Sequence, residues 1–187
     1  MPSAPPEGEV APLDGALPAS AAVGSGDRAF GAYIHVPYCR TRCGYCDFNT
    51  YTATELGEGV SQAGYASQVV QELEFAAGVL QRAGVEDRRA STVFFGGGTP
   101  TLLPAGDLVM MLEAVRRVWG VSDGAEVTTE ANPDSVDRDY LAALAAGGFT
   151  RVSFGMQSAV PHVLATLDRS HTPERVPLVV EWAREVG

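Results

Sequence analysis

Apolar positions along residues 32–187 follow two alternating rhythms. Short apolar runs alternate with longer stretches in which apolar residues return every third or fourth position, the periods of a strand and of an amphipathic helix. Ala32–Val36 predicts a first strand. Between Gly64 and Arg82, the residues Ala66, Val69, Val70, Leu73, Ala76, Ala77 and Leu80 share one face and predict a helix. Ser91–Phe95 predicts a second strand, and Ala105–Trp119 a second helix with Leu108, Met111, Leu112, Val115 and Trp119 in register. Glu126–Glu130 predicts a third strand and Val136–Ala146 a third helix, stopped by Gly147-Gly148. Arg151–Phe154 predicts a fourth strand, followed by a short helix from about Pro161. A last helix is expected from Thr172-Pro173, a hydroxyl cap and a first-turn proline. Pro177 is expected to disturb it slightly.

Repeated strand–helix units argue for the α/β class, with a parallel sheet covered by helices in a barrel or a doubly wound sheet. Four units fill residues 32–187, whereas a closed eight-fold barrel takes ~250 residues. The expectation is therefore a partial (β/α) barrel of about four units, truncated at its C-terminus, whose open edge is an aggregation liability. Residues 1–28, rich in Pro, Ala, Gly and Ser with no apolar period, read as a disordered leader. Residues 29–187 read as the N-terminal part of a core domain.

Composition narrows the function classes. The chain is 45% hydrophobic, enough for one core, and its net charge of −10 argues against a nucleic-acid or anionic-membrane surface. It contains no lysine, which excludes a P-loop lysine or a Schiff-base lysine within these residues. No apolar run approaches the ~20 residues of a membrane helix, and the N-terminus lacks the regions of a secretory signal. A cytoplasmic setting is expected, where thiols stay reduced.

The only cysteines are Cys39, Cys43 and Cys46, placed just after the first strand and interleaved with Tyr38, Tyr45 and Phe48. An iron–sulfur cubane carries four irons, usually held by thiolates. Three thiolates on one loop leave one iron open to a small chelating cofactor. A disulfide is disfavoured, because an odd count leaves a thiol over and nothing marks the chain as secreted. A zinc site with His35 as fourth ligand stays open, although structural zinc sites usually draw on two separated ligand pairs.

Sites in parallel α/β folds gather at the carboxyl ends of strands. Each predicted strand ends in a distinctive segment. The first leads into the cysteine loop and the second into Gly96-Gly97-Gly98-Thr99-Pro100-Thr101. The third ends in Glu130-Ala131-Asn132-Pro133 and the fourth in Gly155-Met156-Gln157-Ser158. The glycine run suits either a tight connection or a close approach of backbone to a ligand. Thr128 and Glu130 share one strand face, as do Arg151 and Ser153. Polar groups facing a barrel interior are costly unless they bind something. Glu130 could accept hydrogen bonds from a ribose diol, and Gln157 could hold a polar group of an adenosyl moiety or substrate. Pattern alone leaves Arg169 as an exposed arginine.

The segments Tyr33-Ile34-His35-Val36-Pro37-Tyr38-Cys39, Cys43-Gly44-Tyr45-Cys46-Asp47-Phe48 and Phe94–Thr101 come first in the chain. Glu130–Pro133, Arg151–Ser158 and Leu167-Asp168-Arg169-Ser170-His171 follow. Together and in this order they resemble the radical S-adenosylmethionine (SAM) family of oxygen-independent coproporphyrinogen III oxidases, from about residue 31 onward. The resemblance implies a radical SAM core in which Cys39, Cys43 and Cys46 ligate a [4Fe-4S] cluster. It also implies that Tyr33, Tyr45, Gly98, Thr99, Glu130, Gln157 and Arg169 line the SAM site. The coproporphyrinogen dehydrogenases carry one more cysteine two positions after the third; Phe48 stands there in this chain. The Cys46-Asp47-Phe48 form is similar to the HemW branch, the radical SAM haem chaperones. That branch implies a cytoplasmic protein that binds haem or porphyrin, delivers haem to haem-accepting proteins and takes electrons from a reductant protein. The alternative is the dehydrogenase itself, converting coproporphyrinogen III propionates to vinyl groups. The family's haem-associated histidine motif and accessory domain have no counterpart in these 187 residues.

Overall fold

Strand and helix alternate as the apolar rhythm predicts. The computed structural model describes residues 10–52, 61–85 and 88–187. In chain order the elements are β1 (Gly31–Val36), α1 (Gln62–Arg82), β2 (Ala90–Gly97), α2 (Ala105–Val118) and β3 (Val121–Ala131). They continue with α3 (Arg138–Ala146), β4 (Arg151–Phe154), α4 (Pro161–Thr166) and α5 (Arg175–Glu185). The strands lie side by side in the order β1-β2-β3-β4, and every pair is parallel. Sequential order without reversal is the arrangement of a (β/α) barrel wall; a doubly wound sheet reverses at a switch point.

The two-residue strand period sorts the sheet into unlike faces. On one face, Ile34, Val36, Val93, Phe95 and Val127 are buried with Leu73 of α1 and Leu108, Met111, Leu112 and Val115 of α2. Phe95 meets Phe149 with ring centroids 5.0 Å apart. A smaller cluster of Ala131, Val136, Leu141 and Val179 joins β3 to α3 and α5. The opposite face is a ladder set by register: Tyr33 beside Phe94, Phe94 beside Thr128, Thr128 beside Arg151. The Tyr33 and Phe94 rings stack at 6.1 Å. The Thr128 hydroxyl donates to Glu126 Oε1 at 2.8 Å, and Arg151 Nη1 donates to Thr128 Oγ1 at 3.4 Å. This second face therefore carries polar residues alongside the Tyr33–Phe94 stack.

Most boundaries fall within a residue or two of the sequence expectation; three shift in ways that bear on the fold. The third helix begins at Arg138 because Asp137 caps it, its carboxylate accepting from the Tyr140 N–H at 2.7 Å; Val136 is buried ahead of the cap. The last helix begins at Arg175, so Pro177 falls in its first turn, where a backbone N–H has no helical partner to lose. The helix runs on undisturbed to Glu185. β3 starts earlier than expected, at Val121, and its register against β2 shifts before Glu126.

Residues 1–9 of the expected leader lie outside the described residues. Within residues 10–28, a 3-10 turn spans Ala19–Ala21, and the Asp14 carbonyl accepts from Arg82 Nη2 at 3.1 Å. Among the described residues no helix is long and apolar enough to cross a membrane.

Candidate functional site

The carboxyl ends of the strands surround a cavity of about 540 Å3. It is lined by the three cysteines and by Tyr45, Phe48, Gly98, Thr99, Glu130, Asn132, Gln157 and Arg169. A second cavity of about 520 Å3 lies between β1, α1 and Trp119. Its walls are mostly apolar and it contains none of the thiols.

The glycine run seats the cysteine loop. Beyond β2, Gly98 N–H donates to the Val36 carbonyl at 2.8 Å and Thr99 N–H to the Tyr38 carbonyl at 2.7 Å. These bonds continue the β1–β2 pairing into the chain that leads to Cys39. A Cβ on Gly98 would lie 2.5 Å from the Tyr38 carbonyl oxygen, so any larger residue would push the loop away. Gly97, at φ +108°, lies against the His35 ring, where a Cβ would come within 2.6 Å. The glycines are thus needed for close approach to the protein's own backbone and side chains. The base of the loop is closed by Tyr51 N–H to the Pro37 carbonyl at 2.7 Å and Cys39 N–H to the Tyr51 carbonyl at 3.0 Å. Tyr38, 1% exposed, anchors it edge-on against Tyr65.

All three cysteines are free and half-buried. Burial pushes the Cys39 thiol above its ordinary pKa, and hydrogen bonds with Thr50 and Thr99 oppose that shift. Among the described residues, no group of three or more His, Cys, Asp or Glu is gathered tightly enough to hold a single metal ion. Zinc draws its thiolates to about 2.3 Å from one point, whereas a cubane takes each thiolate on a different iron. His35 is committed elsewhere: Nδ1 pairs with the Tyr33 hydroxyl at 3.0 Å and Nε2 with the Asn49 carbonyl at 2.9 Å. The zinc reading loses His35 as its fourth ligand.

Glu130 ends the polar face of β3 at the cavity, with Oε2 accepting from Gly97 N–H at 3.2 Å. Thr99 is buried, and its hydroxyl oxygen accepts from Asn132 Nδ2 at 3.4 Å. Gln157 sits in the turn after β4 in the left-handed region, at φ +55°, a conformation uncommon for a residue with a side chain. Tyr45 stands at the cavity wall; burial raises its hydroxyl pKa and Arg169 lowers it. Tyr33 is the predicted site residue that the cavity lining does not include. It lies on the open sheet face, 59% exposed, with its hydroxyl pKa raised by burial and by Glu130.

Arg169 overturns the pattern-based expectation of an exposed arginine. Its Nη2 donates to Asn132 Oδ1 at 2.7 Å and to the Gly155 carbonyl at 2.8 Å, and its Nη1 donates to Cys43 Sγ at 3.5 Å. One guanidinium therefore ties together the ends of β3 and β4 and the cysteine loop. Behind it stands His171, 5% exposed, with Nδ1 3.5 Å from Arg169 Nη2. Burial and the Arg169 charge lower the His171 pKa. The sequence reading gave Asn132 no individual role. Its one signal was its place beside Pro133 at a strand's carboxyl end.

Residues 33–187 match the family model described as the Radical SAM superfamily. The chain belongs to the radical SAM superfamily. Its match to known radical SAM proteins is specific. It is 51% identical over 146 residues to the heme chaperone HemW of Mycobacterium tuberculosis (strain ATCC 25618 / H37Rv), covering 78% of this chain and 36% of that protein. It is 41% identical over 147 residues to the mitochondrial radical S-adenosyl methionine domain-containing protein 1 of Bos taurus, covering 79% and 31%. Among solved structures it is similar to coproporphyrinogen III oxidase (HemN) from Escherichia coli, described as a radical SAM enzyme. The TM-score there is 0.70 at 28% identity, covering 86% of this chain and 35% of that one. The chain thus spans about a third of the length of these relatives. In radical SAM terms, the four-stranded parallel sheet and its helices are part of the (β/α) barrel.

Proposed function

We propose that this chain forms the cluster- and SAM-binding part of a radical SAM haem chaperone. In this reading a [4Fe-4S] cluster sits on Cys39, Cys43 and Cys46, with SAM beside it. The protein binds haem, passes it to haem-accepting proteins and receives electrons from a reductant protein, in the cytoplasm. One observation carries the reading: three free thiols after β1, a carboxylate at the end of β3 and a guanidinium after α4 face a single cavity of about 540 Å3.

The residues suit these groups chemically. An all-thiol donor set on a short loop favours iron–sulfur chemistry. Arg169 keeps positive charge and donor capacity, on Nε and the second Nη1 N–H, for a carboxylate such as that of an amino acid. Glu130 spends one oxygen on Gly97 N–H and keeps acceptor capacity for hydroxyls such as a ribose diol. Gly98, Thr99 and Gln157 supply polar edges, Tyr45 an aromatic wall, and Tyr33 a hydroxyl on the sheet face next to Glu130. When bound, the cluster would supply one electron for reductive cleavage of a SAM carbon–sulfur bond.

Phe48 favours the chaperone over the coproporphyrinogen III dehydrogenase. It lines the cavity, 60% exposed, where the dehydrogenase pattern places a further cysteine. The heme-chaperone name of the 51% identical relative points the same way. The deciding experiment supplies the anaerobically reconstituted protein with reductant, SAM and coproporphyrinogen III, and assays protoporphyrinogen. The expected result is no product, together with haem transfer to an apo haem protein. Multiple turnovers to protoporphyrinogen would establish the dehydrogenase instead.

A further inference from the structure

The Cys43 thiol is tied, through polar side chains that follow α4, β3 and β2, to the far side of the cavity. Starting at Cys43, the sulfur receives Arg169 Nη1 at 3.5 Å. Arg169 Nη2 donates to Asn132 Oδ1 at 2.7 Å. Asn132 Nδ2 donates to Thr99 Oγ1 at 3.4 Å, and Thr99 lines the same cavity as Cys39. The amide orientation follows from chemistry: a guanidinium only donates, so the Asn132 oxygen must face Arg169 and its NH2 must face Thr99. Asn132 is itself fixed, because its carbonyl accepts from the Ser135 hydroxyl at 2.7 Å and the Ser135 N–H at 3.0 Å. The Ser135 hydroxyl is paired in turn with Thr101 Oγ1 at 2.6 Å.

We propose that Asn132 is a positioning residue of the cluster site, holding Arg169 against the Cys43 sulfur and tying it to Thr99. The inference rests on the cluster reading above. Its content is separate: a single amide, accepting from Arg169 and donating to Thr99, links the guanidinium at the Cys43 sulfur to the chain that follows β2. The amide carries its acceptor and its donor on separate atoms of one planar head, and glutamine's extra methylene would displace one bond or the other. The same Nη2 has a second anchor in the Gly155 carbonyl at 2.8 Å, so the two acceptors fix one end of the guanidinium while Nη1 meets Cys43. Hydrogen bonds and positive charge at ligand sulfurs stabilise the more negative, reduced cluster, and partners behind the ligands also govern retention of the metal.

The test compares wild-type protein with Asn132→Ala and Asn132→Asp, all reconstituted anaerobically. Three quantities are read: iron and sulfide content, the rate of iron loss to a chelator, and the midpoint potential of the cluster by redox titration. Asn132→Ala is expected to lose iron roughly 10–100-fold faster than wild type, with a more negative midpoint potential. Asn132→Asp keeps the acceptor for Arg169, so its iron loss should stay near the wild-type rate. Its added negative charge should still lower the potential. An Asn132→Ala protein with wild-type potential and wild-type iron retention overturns the proposal. So does an Asn132→Asp protein that loses iron as fast as Asn132→Ala.

A double-mutant cycle of Asn132→Ala with Arg169→Gln, measured by denaturant unfolding of the metal-free protein, tests the same contact without a cluster. Non-additive effects support the coupling and additive effects overturn it. Wild-type protein that holds no iron would instead defeat the cluster reading, while the metal-free cycle would still decide the Asn132–Arg169 contact.

Discussion

Arg169 Nη1 lies 3.5 Å from the Cys43 sulfur across 126 positions of sequence. The contact places a permanent cation beside a candidate ligand thiol. The same guanidinium also donates to Asn132 and to the backbone of Gly155, so it serves the fold as well as the site.

Replacing Arg169 should therefore have two effects. Arg169→Gln removes charged hydrogen bonds to partly buried acceptors, a loss of about 2–3 kcal/mol in unfolding free energy. It should also weaken SAM binding to the reconstituted protein. Arg169→Lys should recover little of either, because an ammonium cannot reproduce the fork that reaches Cys43, Asn132 and Gly155 together. Denaturant titration and equilibrium SAM binding measure the two effects; a stable Arg169→Gln protein with wild-type SAM affinity would contradict them.

The glycine run yields a paired prediction. Gly98→Ala forces a methyl group to within 2.5 Å of the Tyr38 carbonyl oxygen, a backbone atom that cannot step aside without moving the cysteine loop. A loss of about 1–3 kcal/mol is expected, as for overpacking elsewhere, along with reduced iron incorporation. Gly106 lies in α2, and a methyl group added there would meet nothing within 4 Å. Gly106→Ala should raise stability by about 0.4–1 kcal/mol, chiefly by restricting the unfolded chain. Melting curves of the two variants should move in opposite directions.

His171 predicts a pH dependence. Burial, and then the Arg169 charge, hold its folded-state pKa below the ordinary 6.5. As pH falls through 6.5 the unfolded chain takes up a proton before the folded chain does, so unfolding is favoured. This contribution is fully present above pH 6.5, declines as pH falls toward the lowered folded value, and is flat below it. His171→Gln keeps an acceptor for Arg169 and has no proton to gain, so its stability should lose this part of the acid slope. Identical slopes for the two proteins between pH 7 and pH 5 would argue against the buried neutral histidine.

Much of the fold was legible because local and global signals agree. The helix-face residues Leu108, Met111, Leu112 and Val115 are buried residues of α2, and the four predicted strands pair in the order of the chain. Boundaries were less legible where a cap or a first-turn effect decides them, as with Asp137 and Pro177. The thiols, Glu130 and Gln157 were visible because each sits in or beside a distinctive turn at a strand's carboxyl end. Arg169 was invisible to pattern reasoning. It follows a short helix rather than a strand, and only its contacts across the fold distinguish it from a surface arginine. Asn132 was hidden for the complementary reason, since an asparagine before a proline already reads as turn chemistry. The glycine run stands out in the sequence, but the partners that require Gly98 and Gly97 are Tyr38 and His35 of the same chain, which only the fold brings near.

The most direct measurement is electron paramagnetic resonance of the anaerobically reconstituted, reduced protein, recorded without and with SAM. The expected result is the signal of a reduced [4Fe-4S] cluster that changes shape when SAM is added and is lost in Cys43→Ser. A protein with no cluster signal, or a signal indifferent to both SAM and Cys43→Ser, would contradict the cluster and SAM assignment.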